Sequence, residues 1–198
     1  MPKPSLREAL VDAAFNELWT KGYAATGVAS IASAANAPKG SFYNHFASKE
    51  ALAVEVLGRY GQSRRLEMLS DSADSPLQRI RNHVDYLRQD LAAHRYRRGC
   101  MLGNFAAEGP VDAPTVTDAV AASLGQWRRA MAGAIRQAQD AGEIARQVNP
   151  DAAAQFIVDG WEGAALRAKT AGDSTPIDNA VEMIFSQILT PPTKGHSS

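Results

Sequence analysis

The chain holds a single cysteine, Cys100, so no internal disulfide can form, and that usage fits a reducing cytoplasm. No stretch approaches the roughly 18 consecutive apolar residues that a membrane helix needs. No basic segment leads into an apolar run at the N-terminus, so no signal peptide is expected. Metal-ligand spacing is missing as well: His83 and His94 lie eleven apart, too far along one helix to share an ion, and His196 is in the tail. There is no glycine-rich phosphate loop and no serine–histidine constellation. These absences argue against an enzyme, with no catalytic residue, metal or cofactor expected, and place the protein in the cytoplasm without a membrane partner.

Net charge is zero, with 21 basic and 21 acidic side chains. The distribution says more than the sum. Between Leu18 and Lys49 there are three lysines, one histidine and no acid, while Glu17 and Glu50 bracket the window. Such a patch suits a phosphate backbone, and a dimer would double it. With 45% hydrophobic residues in 198, the chain can bury a substantial core.

The richest segment is residues 26–52, TGVASIASAANAPKGSFYNHFASKEAL. Val28, Ile31, Ala32 and Ala35 recur at helical spacing. Asn36 suits the following turn, because after glycine it best tolerates a left-handed backbone. Pro38 can open a second helix, since its missing N–H would have no partner in the first turn. Phe42 and Phe46, one turn apart, anchor that helix to a core. Lys39, Ser41, Tyr43, Asn44 and His45 project from it, and Ser48 can cap a third helix from Lys49. A short anchored helix lined with hydrogen-bond donors fits the major groove of double-stranded DNA. Lys39, Lys49, Tyr43 and the Thr26 hydroxyl are expected on phosphates, where contacts set register. Ser41, Asn44 and His45 are expected at base edges, and Gly40 allows close backbone approach.

The string Ile31-Ala32, Lys39-Gly40-Ser41-Phe42-Tyr43-Asn44-His45-Phe46 and Ser48-Lys49-Glu50-Ala51-Leu52 resembles the TetR/AcrR family of bacterial transcriptional regulators. It departs from that pattern with Asn36 where the family usually has glycine and Ala37 where it has a branched residue. The resemblance implies an all-α, nine-helix protein. Its helix-turn-helix domain would span residues 1–48, its ligand-binding and dimerisation domain 49–190, and a disordered tail 191–198.

Helix signals follow one another and strand signals are nearly absent. Ser5 and Glu8 form a capping box, and Gly22 closes the first helix. The helix from Lys49 is expected to reach Ser70, with Leu52, Val56 and Tyr60 on one face. Pro76 suits a first helical position, and Leu77, Ile80, Val84, Leu87 and Leu91 form a stripe. A short helix spans about 100–108, and a long one carries Val116, Val120, Leu124, Trp127, Met131, Ile135 and Ala138 up to Gly142. Asn149-Pro150 and Thr175-Pro176 open the last two. Gly160, Gly163 and Ala164 permit close approach of another helix, either within the subunit or, as the resemblance implies, across a homodimer interface.

A DNA-binding domain on a larger helical body implies a small-molecule effector site. Cys100 follows His94-Arg95-Tyr96-Arg97-Arg98-Gly99 and precedes a helix, and both neighbours would stabilise a thiolate. A lone cysteine is also commonly a small buried hydrophobe, and arginines can simply serve a helix end; both readings stay open. Arg98-Gly99-Cys100-Met101-Leu102-Gly103-Asn104 and Gly160-Trp161-Glu162-Gly163-Ala164-Ala165-Leu166-Arg167-Ala168-Lys169 resemble the NemR/AcuR-type branch, which answers reactive electrophiles or acrylate. That likeness implies a sensing role for Cys100. Lys169, if it faces inward near Cys100, would have its pKa lowered by burial. Arg167 could meet a carboxylate, and Asn104, Trp127 and Trp161 could form pocket walls. The expectation is a homodimeric repressor that leaves its operator when an electrophile or α,β-unsaturated compound arrives near Cys100. Its alternatives are a non-reactive ligand with Cys100 as packing, a helical enzyme with a DNA-binding appendage, or a nucleoid protein without a sharp operator.

Overall fold

The computed structural model describes residues 5–71, 73–109 and 112–192. Eight α-helices and the 3₁₀ segment over Lys39–Asn44 stand in the order of the nine expected helices, with two shorter helical turns besides, and the described residues contain no strand. The α-helices are α1 (Leu6–Lys21), α2 (Val28–Ala34), α3 (Lys49–Ser63), α4 (Pro76–Ala93), α5 (Met101–Glu108), α6 (Pro114–Asp140), α7 (Pro150–Ala171) and α8 (Thr175–Met183). The 3₁₀ segment covers Lys39–Asn44. None of these helices is long and apolar enough to cross a membrane. The expected disordered tail lies beyond the described residues from 193 onward.

The chain divides into two compact units. The first holds residues up to Ser63 together with Cys100–Ser123; the second holds Arg64–Gly99 and the chain from Leu124. This partition differs from a boundary after residue 48. The reason is packing: α3 lies against α1, and α5 against both. Leu10, Leu18, Leu52, Val56, Met101 and Phe105 are completely buried in that first unit.

Local chemistry sets most helix ends. The Ser5 hydroxyl accepts from the Glu8 N–H at 3.2 Å, giving half of the expected capping box. The other half is absent from the observed bonds because the Glu8 carboxylate accepts instead from Arg59 at 2.8 Å. Gly22 closes α1 at φ 86°, donating to the Leu18 carbonyl at 3.0 Å. Asn36 is left-handed at φ 53°, as its place after α2 requires. The Ser48 hydroxyl caps α3 by accepting from Ala51 at 3.0 Å, and the Asn149 side chain caps α7 through Asp151 and Ala152.

Three boundaries differ from the sequence reading. α3 stops at Ser63, not Ser70, because Arg65 turns left-handed at φ 53° and the chain re-enters as a short 3₁₀ turn over Leu66–Leu69. The Arg64 guanidinium is drawn inward to Asp90 on α4 at 2.9 Å, and Leu69 is buried. Ser174, not Thr175, precedes α8, where its hydroxyl bonds the Asp178 carboxylate at 2.7 Å. The last turn widens into a π-helix over Ile184–Ile188.

The left-handed Asn36 gives a direct test of the turn. Asn36→Gly should hold stability within about 0.5 kcal/mol, whereas Asn36→Val should cost about 1–2 kcal/mol in urea unfolding. Equal midpoints for the two variants would refute the assignment.

Candidate DNA-reading surface and sensing residues

After α2, two backbone bonds tighten the turn: Asn36 N–H to the Ser33 carbonyl at 3.0 Å and Ala37 N–H to that of Ala32 at 2.9 Å. Pro38 stands one residue ahead of the 3₁₀ segment rather than inside it, and its carbonyl accepts both the N–H and the hydroxyl of Ser41. Phe42 is fully buried and Phe46 nearly so, their ring centroids 5.7 Å apart. With those rings held inward, Lys39, Gly40, Tyr43, Asn44 and His45 face solvent. Tyr43 is 61% exposed, propped edge-on against Phe42. Ser41 is half-buried, and its oxygen keeps lone pairs for an outside donor. Gly40 has a φ outside the left-handed region and open space where a Cβ would stand, so the fold itself makes no demand for glycine there.

Two expected phosphate contacts are corrected. Thr26 is 0% exposed, and its hydroxyl donates to the Gly22 carbonyl at 2.7 Å. It braces the turn into α2 rather than facing a nucleic acid. Lys49 is half-buried, with its ammonium donating to the Tyr23 carbonyl at 3.0 Å and sitting 3.9 Å over the Tyr23 ring. Burial lowers its pKa, and Glu108 pulls the other way. A lysine held by a carbonyl, a ring and a nearby carboxylate ties the start of α3 to the α1–α2 turn.

Among the effector candidates, Cys100 is the N-cap residue of α5 and only 5% exposed. Its sulfur accepts the Tyr60 hydroxyl at 3.4 Å. Tyr60 is completely buried on α3 among Phe15 and Trp19. Asn104, one turn along α5, is buried and donates its N–H to the Cys100 carbonyl at 3.0 Å. Trp127, Trp161, Arg167 and Lys169 belong to the second unit, so the six candidates fall into two groups. Arg167 is exposed on α7, and Lys169 is half-buried there.

The second group gains a member that the sequence reading had considered only as a metal ligand. His83 on α4 is fully buried, its ring 5.9 Å from that of Trp127 and edge-on to it; Trp127 in turn meets Trp161 at 6.5 Å. Neither His83 nitrogen nor Trp127 Nε1 closes a hydrogen bond of normal geometry. Burial drives the His83 pKa down to about 4, with Arg64 adding to the effect and Glu67 and the Arg65 backbone opposing it. Only the recurrence of His83 with Ile80, Val84 and Leu87 on the apolar side of α4 could have signalled this from sequence.

On α7, Phe156 is 61% and Leu166 45% exposed, and Met183 on α8 is also exposed. Open space surrounds a Cβ built at Gly160 or Gly163. Among the described residues, no helix of the same subunit packs onto these glycines.

Comparison with known proteins matches the chain in two stretches. Residues 10–56 match the family described as bacterial regulatory proteins, tetR family, and residues 76–184 match the tetracyclin repressor-like C-terminal domain. The chain is 31% identical to the HTH-type transcriptional repressor DhaR of Mycobacterium sp. (strain GP1), over 96% of this chain and 95% of that one. It is 36% identical to the transcriptional regulator AcuR of Cereibacter sphaeroides, over 85% and 78% respectively. A crystal structure of Escherichia coli NemR in its reduced form superposes with a TM-score of 0.82 at 25% identity, covering 96% of this chain and all of that one.

Lys39 is exposed on the candidate DNA-reading segment; if it meets a phosphate, Lys39→Ala should lower the slope of log affinity against log salt by about one unit. An unchanged slope in a salt titration would remove it from the phosphate contacts. His83 generates a second test. Its ordinary pKa of 6.5 falls to about 4 on folding, so below pH 6.5 the unfolded chain binds a proton that the folded one refuses. That stability, on the order of 3 kcal/mol, is complete above pH 6.5 and lost as pH falls toward 4. Urea midpoints of His83→Leu should vary less over that range than those of the unaltered protein.

Proposed function

The chain belongs to the TetR family of bacterial transcriptional regulators, and on that footing we propose that it is a cytoplasmic homodimeric repressor released from its operator by a small electrophilic or α,β-unsaturated compound at Cys100. One observation carries the sensing half: the Tyr60 hydroxyl donates to the Cys100 sulfur. That bond joins the thiol to α3, whose first residue follows the DNA-reading segment. DhaR and NemR, both similar to this chain, are themselves named repressors.

The chemistry is conjugate addition. The thiol gives up its proton, sulfur bonds to the β-carbon of the unsaturated compound, and the displaced π electrons end as a C–H bond at the α-carbon. The added atoms enter a site where the cysteine is already buried beneath Tyr60, so α3 or α5 has to yield. DNA contact comes from Lys39 and Tyr43 on phosphates, with Ser41, Asn44 and His45 at base edges and Gly40 giving clearance. Two copies pair through the open stripe of Phe156, Gly160, Gly163 and Leu166 on α7, with α8 beside it. A two-fold axis is what two reading segments one DNA turn apart require.

A second reading keeps Cys100 as packing and seats a non-reactive ligand against Trp127 and Trp161. The buried nitrogens of His83 and Trp127 favour it, since a ligand with hydrogen-bonding groups would satisfy them. A gel shift decides between the two. With a Michael acceptor present, the unaltered protein should leave operator DNA and Cys100→Ser should stay bound; equal release of both would reject the covalent route.

A further inference from the structure

We propose that Glu108, the last residue of α5, is the positioning residue that holds the DNA-reading segment in register from both sides. Its two carboxylate oxygens accept two successive backbone N–H groups, Tyr23 at 3.1 Å and Ala24 at 2.8 Å, across more than eighty residues of sequence. These amides lie in the turn that leads into α2. Gly22, just before them, is left-handed at φ 86°, and a Cβ placed there would collide with Glu108 Oε1. The glycine therefore both makes the turn and leaves room for the carboxylate.

The other flank is tied to the same point. Lys49, which follows the reading segment, donates to the Tyr23 carbonyl and rests on the Tyr23 ring, and the charge of Glu108 favours its protonated form. The Tyr23 ring also meets Phe105, one turn before Glu108, at 5.9 Å. Residues 28–46 are thus bracketed by Tyr23-Ala24 on one side and Lys49 on the other, with both flanks meeting the end of α5.

The other end of that helix is Cys100. An eight-residue helix is about 12 Å long, and Met101, Leu102 and Phe105 hold it in a close-packed core. A displacement at Cys100 is passed along as a rigid movement and withdraws the carboxylate from Tyr23 and Ala24. This last step rests on the sensing role given above to Cys100; the clamp itself does not.

The test uses the full-length protein and an operator duplex recovered by selection from random DNA. Glu108→Ala should speed amide exchange at Tyr23 and Ala24 and weaken operator binding, each by about tenfold, with melting lowered by only a few degrees. Glu108→Gln keeps one acceptor oxygen and should recover part of the affinity, while Gly22→Ala should reproduce the Glu108→Ala loss. Alkylating Cys100 with N-ethylmaleimide should expose the same two amides and add little to the loss already present in Glu108→Ala. Unaltered operator affinity, or unaltered exchange at both amides, in Glu108→Ala would overturn the clamp. Alkylation and Glu108→Ala losses that simply add would overturn the link between them. If alkylation leaves the unaltered protein bound, the sensing reading fails, and the clamp stands or falls on the variants alone.

Discussion

The first unit depends on how Tyr23 is held. Its N–H is accepted by Glu108, its carbonyl accepts from Lys49, and its ring lies between the Lys49 ammonium and Phe105. Each contact comes from a different stretch of chain: the end of α5 for Glu108 and Phe105, the start of α3 for Lys49. A backbone N–H and carbonyl in a turn between helices would otherwise need water. Here they are satisfied by charged groups, whose hydrogen bonds are shorter and stronger than neutral ones. Burial of Tyr23 and the charge of Glu50 raise its phenol pKa, so the ring stays neutral beneath the ammonium. Glu50, the residue after Lys49, reaches the start of α6 and accepts the N–H and hydroxyl of Thr115, which lowers its own pKa.

Charge is handled differently in the second unit. Arg64 and Asp90 pair at 2.9 Å with little exposure, Arg79 donates to Gln137 at 2.8 Å, and His83 remains neutral among aromatic rings. Buried polar groups of this kind fix geometry more than they add stability, because desolvation consumes much of the Coulomb gain. Arg79, His83 and Asp90 recur at helical spacing on α4, next to the apolar stripe of Ile80, Val84, Leu87 and Leu91. Backbone strain gathers next to them: Arg95 and Tyr96 are both left-handed just after α4, followed by Gly99 at φ 65°. Such residues persist only where the surroundings hold them in place.

Much of this protein was legible before any coordinates. Asn36 had to be left-handed because the chain turns between two helices and few residues accept that backbone. Ser48, Asn149 and Gly22 announced helix ends through side-chain oxygens or a missing Cβ, which act within three or four residues. The inward Phe42 and Phe46 and the outward Lys39, Tyr43, Asn44 and His45 followed from spacing. Thr26 and Lys49 were misread for one reason: a hydroxyl or an ammonium near a DNA motif looks available until its partner is known. Those partners, the Gly22 and Tyr23 carbonyls, carry no side-chain signature.

Local order along the chain therefore determined the helices, their caps and which side chains of the 39–46 segment face outward, because helix periodicity, capping and turn conformation act over a few residues. Tertiary structure alone decided which polar groups meet across long separations. Glu108 with Tyr23 and Ala24, Tyr60 with Cys100, and Arg64 with Asp90 are matches of direction and distance set by how helices pack. No pattern of residue types along the chain encodes such a match, because it exists only once the helices of each unit have packed together.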